Sequence, residues 1–219
     1  MNKSKIFNYL IELLIVIVGV SIAFWLNTQA DSKKERDILN GYYREFLNEL
    51  EEDRSLLEKN ISNSISKQEN MIRASQLYQK PTVSIDSLVM YAMEIGNYYF
   101  FTPNDITYRS MINSGDLKLI TDLSLKRKLT RLYKLYNVID EAQQNHLQAL
   151  DENYFPLIVN QIDYEKGEAI SSIDGNLLIK NYFIFSINEL DAHIYLYKKA
   201  MKLNEELDSL IMTQNDNLI

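Results

Sequence analysis

Residues 6–30 read IFNYLIELLIVIVGVSIAFWLNTQA, and this stretch decides the architecture. Apart from Tyr9, its one ionisable group is Glu12. As a helix at about 1.5 Å per residue the run reaches roughly 37 Å, enough to cross a bilayer core of about 30 Å with some tilt. Lys3 and Lys5 precede it, which also suits a secretory signal peptide. The apolar run exceeds the roughly 7 to 15 residues of a signal core, however, and no small-x-small cleavage site with a polar break follows it. The expectation is an uncleaved transmembrane helix over 6–30 after a short tail, 1–5, with Tyr9 and Trp25 at the two interfaces.

The same helix has a distinctive face. At about 100° per residue, Asn8, Glu12, Val16, Gly19, Ala23 and Asn27 fall within an arc of roughly 100°, while Leu, Ile, Val and Phe cover most of the remainder. Gly19 and Ala23, spaced i and i+4, let a second backbone approach closely, and a carboxylate and amides in lipid need partners that lipid cannot supply. This predicts a helix–helix contact face. The plainer alternative is that Glu12, seven residues from Lys5, sits shallow and snorkels, with Gly19 incidental. Orientation is less well marked. Lys3 and Lys5 favour an N-terminus inside, but Lys33, Lys34, Arg36 and Arg44 follow the span. Because long C-terminal domains translocate largely regardless of charge, the expectation is a domain outside the cytoplasm.

The rest of the chain is water-soluble in character. Without Lys3, Lys5 and Glu12 it carries 21 basic and 29 acidic residues, a formal charge of −8. Such a surface repels nucleic acid, whose binding rests on phosphate neutralisation, so no nucleic-acid partner is expected. Six Gly and three Pro are too few for a turn-dense sandwich or barrel. The absence of cysteine excludes disulfides, thiolate metal sites and Cys nucleophiles. The fold class is therefore all-α: one transmembrane helix and a soluble helical bundle over 31–213, with a tail at 214–219.

Apolar positions at three- and four-residue steps predict a first helix from Ser32 to Gln79, able to continue directly from the span, through Ile38, Leu39, Tyr42, Tyr43, Phe46, Leu47, Leu50, Leu57, Ile61, Ile65, Ile72 and Leu77. Gly41 and the Ser/Asn-rich stretch 60–66 are its weak points. Shorter helices are expected at Asp86 to Tyr99, with Met93 inward, and after Pro103, with Asn104 as N-cap and Gly115 as the stop. A long helix from Asp122 passes Leu150 until Pro156 kinks or ends it. A loop covers 163–175, and a last helix covers Asn176 to Thr213, with Leu178 inward. Three long helices and two short ones imply an elongated antiparallel bundle, with no sheet.

Chemistry is scarce. Glu189 and His193 lie one turn apart near Asp191, but a di-iron bundle needs Glu-x-x-His on two helices and the chain has none. His146 and His193 read as structural or solvated, and no metal or cofactor is expected. No Gly-rich phosphate loop precedes Lys-Ser or Lys-Thr, and no Gly-x-Ser-x-Gly elbow is present. Lys126, Arg127, Lys128, Arg131 and Lys134 alternate with apolar residues, giving a basic amphipathic stretch. It suits anionic lipid or a partner, or is the wet face of a bundle helix opposite Glu49, Glu51, Glu52 and Asp53. Tyr98, Tyr99, Phe100 and Phe101 form an aromatic run beside a proline loop, a contact candidate among tyrosines that otherwise suit helix seams.

The stretch from Tyr9 to Asn27 resembles the opening of a family of short single-span membrane proteins of Bacteroidota that is defined only as a domain of unknown function. Those proteins begin with Gly-Glu-Ile and an apolar run, continue with Gly-Ile and Ala, and end on Asn-Asn-Trp. Glu12, Gly19, Ala23 and Asn27 match. Ile11 stands in place of the first Gly, and Thr28 and Gln29 replace the Asn-Trp ending, so this chain resembles a divergent member. The stretch from Tyr108 to Ile120, with Leu129 and Tyr133, is similar to the family's middle motif. The resemblance implies a bacterial inner membrane protein with one span, and no activity to carry over.

Three functions compete. The first is a non-enzymatic, membrane-anchored module that forms a homo-oligomer or docks on a membrane protein through the polar and small face of its span. The second is a proton- or ion-conducting oligomer lined by Glu12. The third, by fold analogy, is a helical sensor for a small ligand or envelope component. No signalling domain is expected on the N-terminal side, where only the short tail precedes the span.

Overall fold

The computed structural model describes residues 3–78, 85–163, 165–170 and 177–216, and the fold is all-α. Helix α1 runs without a break over Lys3–Leu77, 75 residues or roughly 110 Å. The membrane-type segment and the first bundle helix are thus one rod, and the expected tail at 1–5 is helical from Lys3, with residues 1 and 2 outside the described set. The weak points hold for local reasons. No proline falls between Lys3 and Leu77, and a helical glycine such as Gly41 costs only about 1 kcal/mol relative to alanine. In the Ser/Asn-rich stretch, the Asn60 side chain donates to the Leu56 carbonyl one turn back, at 2.9 Å, and Ser64 is buried in the bundle. The expected endpoint Gln79 lies outside the described residues.

The chain then descends beside α1. Helix α2 (Ile85–Ile95), the extended segment 97–105, helix α3 (Ile106–Asn113) and a single 3₁₀ turn at Asp116–Leu119 form one broken leg. Helix α4 (Leu123–Ala149) climbs back, continued by a π-helical stretch at Leu150–Tyr154 and by α5 (Phe155–Val159). Helix α6 (Leu177–Asp216) descends again. Cross-contacts fix these directions: Asn204 bonds the Leu50 carbonyl and Gln68 bonds the Ile187 carbonyl, so α6 is antiparallel to α1. Glu49 reaches Thr107, whereas Lys67 reaches Asn97, so the second leg is antiparallel as well. The result is an up-down-up-down bundle with one interrupted leg.

Each long helix buries a strict seam of alternating three- and four-residue steps, the pattern of left-handed helix packing. On α1 it is Tyr43, Phe46, Leu50, Asp53, Leu57, Asn60, Ser64, Lys67, Met71 and Ala74. On α6 it is Ile179, Phe183, Ser186, Leu190, His193, Tyr197, Ala200, Asn204, Leu207 and Ile211. On α4 it runs from Leu125 through Tyr136, Gln143 and His146 to Leu150, then continues at Tyr154 and Ile158. Those last two steps are both four residues because the π stretch inserts one extra residue before Pro156 and keeps the seam facing inward.

Several expectations need correcting. Ile65, Ile72, Met93 and Leu178 are exposed because the buried seam takes the residue next to each, Ser64, Met71, Ala92 and Ile179, and Ile38 is exposed because it lies before Tyr43, where the seam of α1 begins. Helix α2 stops at Ile95, not Tyr99, since Lys67 captures the Ile95 and Asn97 carbonyls. Asp105, not Asn104, occupies the N-cap of α3 and makes no side-chain cap bond. The capping acceptor comes from another helix: Glu49 Oε1 accepts from the Thr107 amide at 3.0 Å and from its hydroxyl at 2.7 Å. Gly115, at φ 76°, ends the α3 region as expected. Asp122 caps α4 through the amides of Ser124 and Leu125. Within the expected loop at 163–175, Ile162–Asp163 and Glu168–Ala169 form a minimal antiparallel ladder turned by Gly167 at φ 67°. Residues 164 and 171–176, the expected start Asn176 among them, lie outside the described set. The expected tail from 214 is helical to Asp216, held by Gln214 on the Asp122 carboxylate.

Candidate functional site

The apolar segment of α1 is long and apolar enough to cross a membrane, and none of its window is buried within the chain. Asn8, Glu12, Val16, Gly19, Ala23 and Asn27 are all exposed. A Cβ on Gly19 would meet nothing within 4 Å, so the face is open rather than packed. Polar groups off this face look after themselves: Ser21 and Thr28 donate to the carbonyls of Ile17 and Phe24 one turn back. Asn27 reaches Asp31 at 3.1 Å. Among the described residues, Asn8 and Glu12 have no hydrogen-bond partner within the chain.

The basic stretch does not face the acidic one. Lys128 pairs with Glu206 of α6, and Arg127 bends back to the Leu123 carbonyl. Arg131 and Lys134 rim a groove of about 610 Å³ between α4 and α6, with Lys199 and Lys202 opposite and Leu135, Val138 and Leu203 along its floor. Lys126 is half-buried nearby. The acidic residues have dispersed because they sit on different sides of α1. Glu49 caps α3, Glu52 accepts from the Asn104 side chain, and Asp53 is fully buried.

The aromatic run is likewise divided. Phe101 is in the core between Tyr136 and Tyr197. Tyr98 is half-buried and stacks on the exposed Phe100, with ring centroids 5.1 Å apart, and Tyr99 contributes its carbonyl to the Tyr197 hydroxyl. Its place as a contact patch thus reduces to Phe100 and the outer edges of Tyr98 and Tyr99.

What the sequence reading missed is a polar layer through the middle of the bundle. It separates an apolar core around Phe46, Leu50, Leu129 and Leu207 from another around Met71, Leu88, Tyr154 and Phe183. Lys67 donates to the carbonyls of Ile95 at 2.8 Å and Asn97 at 2.6 Å, under the Tyr98 ring at 5.8 Å. Gln143 clasps the Phe101 backbone in both directions and accepts from the Tyr197 hydroxyl at 2.8 Å. His146 meets Tyr98 and His193 edge-on and stacks on Phe185, and its Nδ1 lies 3.4 Å from Glu189 Oε2. His193 stacks on Tyr197 and bonds the Ala142 backbone. Among these groups lies a gap of about 20 Å³, the size for one water.

Burial dominates the protonation of this layer. It lowers His146 to about 4, helped by His193 and Lys67, and it lowers His193 in the same direction. It lowers Lys67 to about 8 against the opposing pull of Glu94, and it raises Glu189. Nearer the span, burial raises Asp53 to about 6, although Asn104 donates to it from both backbone and side chain. The histidines are therefore neutral packing groups at neutral pH. No family model, curated protein or solved structure matches the chain.

Proposed function

We propose that the chain is a non-enzymatic, membrane-anchored helical module of a bacterial inner membrane, its bundle outside the cytoplasm, that self-associates or docks on a membrane partner through Asn8, Glu12, Val16, Gly19, Ala23 and Asn27. The observation that carries this reading is the openness of that face on a rod continuous with the bundle. In lipid there is no hydrophobic force to bring helices together, so an aligned set of small and polar residues acts through close packing and interhelical hydrogen bonds. The unbroken helix then gives the contact a consequence, since rotation or tilt of the span moves α1 inside the bundle without a flexible joint to absorb it. The resemblance to the Bacteroidota single-span family supports the same anchoring.

The test is fluorescence energy transfer between labelled full-length copies, and to membrane proteins copurified from the native membrane. Gly19→Leu should abolish association while leaving the bundle folded. A monomeric, partnerless protein whose behaviour ignores that change would refute the proposal. Ion flux in vesicles that is lost in Glu12→Gln would instead favour a conducting oligomer. The interior gap, sized for one water, gives a small-ligand sensor no enclosed pocket in the polar layer.

A further inference from the structure

Two surfaces of opposite charge stand at one height on different sides of the bundle. The first is the groove between α4 and α6, where Arg131, Lys134, Lys199 and Lys202 surround an apolar floor. Glu206 lines it too, paired with Lys128 and attracted by Lys202, so four cations face one carboxylate and the lining stays net positive. The second is a shallow depression on the outward side of α1, lined by Asn48, Glu51, Glu52, Ser55 and Leu56. Glu51 and Glu52 have no ion-pair partner among the described residues, and Leu56, one turn above Glu52, is an exposed apolar side chain beside them.

Their heights are fixed by contacts inside the bundle. Asn204 bonds the Leu50 carbonyl, which sets the groove residues Leu203 and Lys202 level with the start of the acidic strip. Tyr133 reaches Glu49, which sets Lys134 at the same level on α4. Copies anchored in one membrane by the same rod share an orientation and a distance from the bilayer. Lateral approach therefore brings surfaces of equal height together and excludes most other pairings.

We infer that the α4–α6 groove of one copy receives the Glu51, Glu52 and Leu56 strip of a neighbouring copy, head to tail. Charge complementarity selects the register, and Leu56 covers the groove floor at Val138. Because the two patches differ, the contact is heterologous and propagates into rings or rows rather than stopping at a dimer. The inference rests on the membrane anchoring proposed above but not on the contact face of the span, and its test leaves Gly19 untouched.

The chain contains no cysteine, so a Leu56→Cys, Val138→Cys protein carries one engineered pair. Oxidation of this full-length protein in vesicles of zwitterionic lipid should give a ladder beyond the dimer. Lys199→Glu with Lys202→Glu should lower the yield at least about fivefold, as should Glu51→Lys with Glu52→Lys, and the fourfold charge swap should restore it. Thermal melts of each variant confirm that the bundle is folded. Crosslinking that stops at dimers, that ignores both reversals, or that the fourfold swap fails to restore would overturn the inference. So would a groove whose reversal abolishes binding to vesicles of anionic lipid while leaving crosslinking intact, because its occupant would then be a lipid headgroup.

Discussion

The rings of His146 and His193 meet edge-on with centroids 5.5 Å apart, deep in a bundle where Lys67 is the neighbouring cation and Glu189 the neighbouring carboxylate. Protonating either histidine adds charge to a buried layer that already holds a cation. His146 titrates near 4 when folded and near 6.5 when unfolded, so the unfolded chain takes up the proton first as pH falls. Stability is full above about 6.5 and is lost progressively towards 4, by about 3 kcal/mol for this residue. His193 acts in the same sense.

Asp53 works in the opposite direction. Its folded carboxyl titrates near 6, above the unfolded value, so the folded state gains the proton first and stability rises as pH falls from about 6 towards 4. The two effects offset each other in that window. Urea denaturation should show a shallow pH dependence for the natural sequence. Asp53→Asn should steepen the loss of stability on acidification, and His146→Phe should reverse its sign.

Lys67 supplies an alkaline signature. Folded Lys67 loses its proton near 8, whereas the unfolded side chain keeps it to about 10.4. Stability contributed by relief of this buried charge therefore rises between those values. Lys67→Met should remove that rise, and it should also cost about 1 to 3 kcal/mol at neutral pH because the Ile95 and Asn97 carbonyls lose their donor. Hydrogen exchange at the end of α2 should quicken.

How much of this was legible in the sequence follows from the seams. The all-α class, the joined first helix, the Asp122 start of α4 and the Gly115 stop could be read, because apolar spacing, a local acidic cap and a glycine are local signals. The seam of α1 was harder, since Asp53, Asn60, Ser64 and Lys67 occupy core positions and the eye moves to Ile65 and Ile72 instead. The polar layer joins residues from α1, the second leg, α4 and α6, and no local pattern announces such a meeting. Strict three-four spacing carried through polar residues was the available clue. The Glu49 cap on α3 was hidden for the same reason, as its acceptor lies 58 residues from Thr107. The six-residue membrane face was read from the sequence alone, and its role as a contact is the proposal.

Gly115 tests the turn that launches α4. Its φ of 76° is a region that side chains with a Cβ adopt at a cost of about 1 to 2 kcal/mol, and the space around it is otherwise open. Gly115→Ala should lower the melting temperature by that equivalent. Gly115→Asn should lose less, since asparagine tolerates the left-handed region. Equal stability of all three proteins would show that the turn relaxes.

The continuity of α1 fixes the azimuth of the membrane face relative to the bundle. Inserting two alanines after Ala30 rotates one against the other by about 200° while keeping the helix intact. Contacts between spans should persist, and the Leu56–Val138 crosslink between bundles should fall. A crosslink that survives the insertion would mean that the helix bends freely there or that the bundles meet without the contact between spans.

The most direct test of the membrane contact is a single-cysteine scan from Val16 to Asn27 in native membranes, read as disulfide-linked species. Maxima are expected at Val16, Gly19, Ala23 and Asn27, repeating with the helical period, and minima on the opposite side at Ile17, Ser21 and Trp25. Uniformly low crosslinking to any membrane protein, or maxima on the Leu and Ile face, would contradict it.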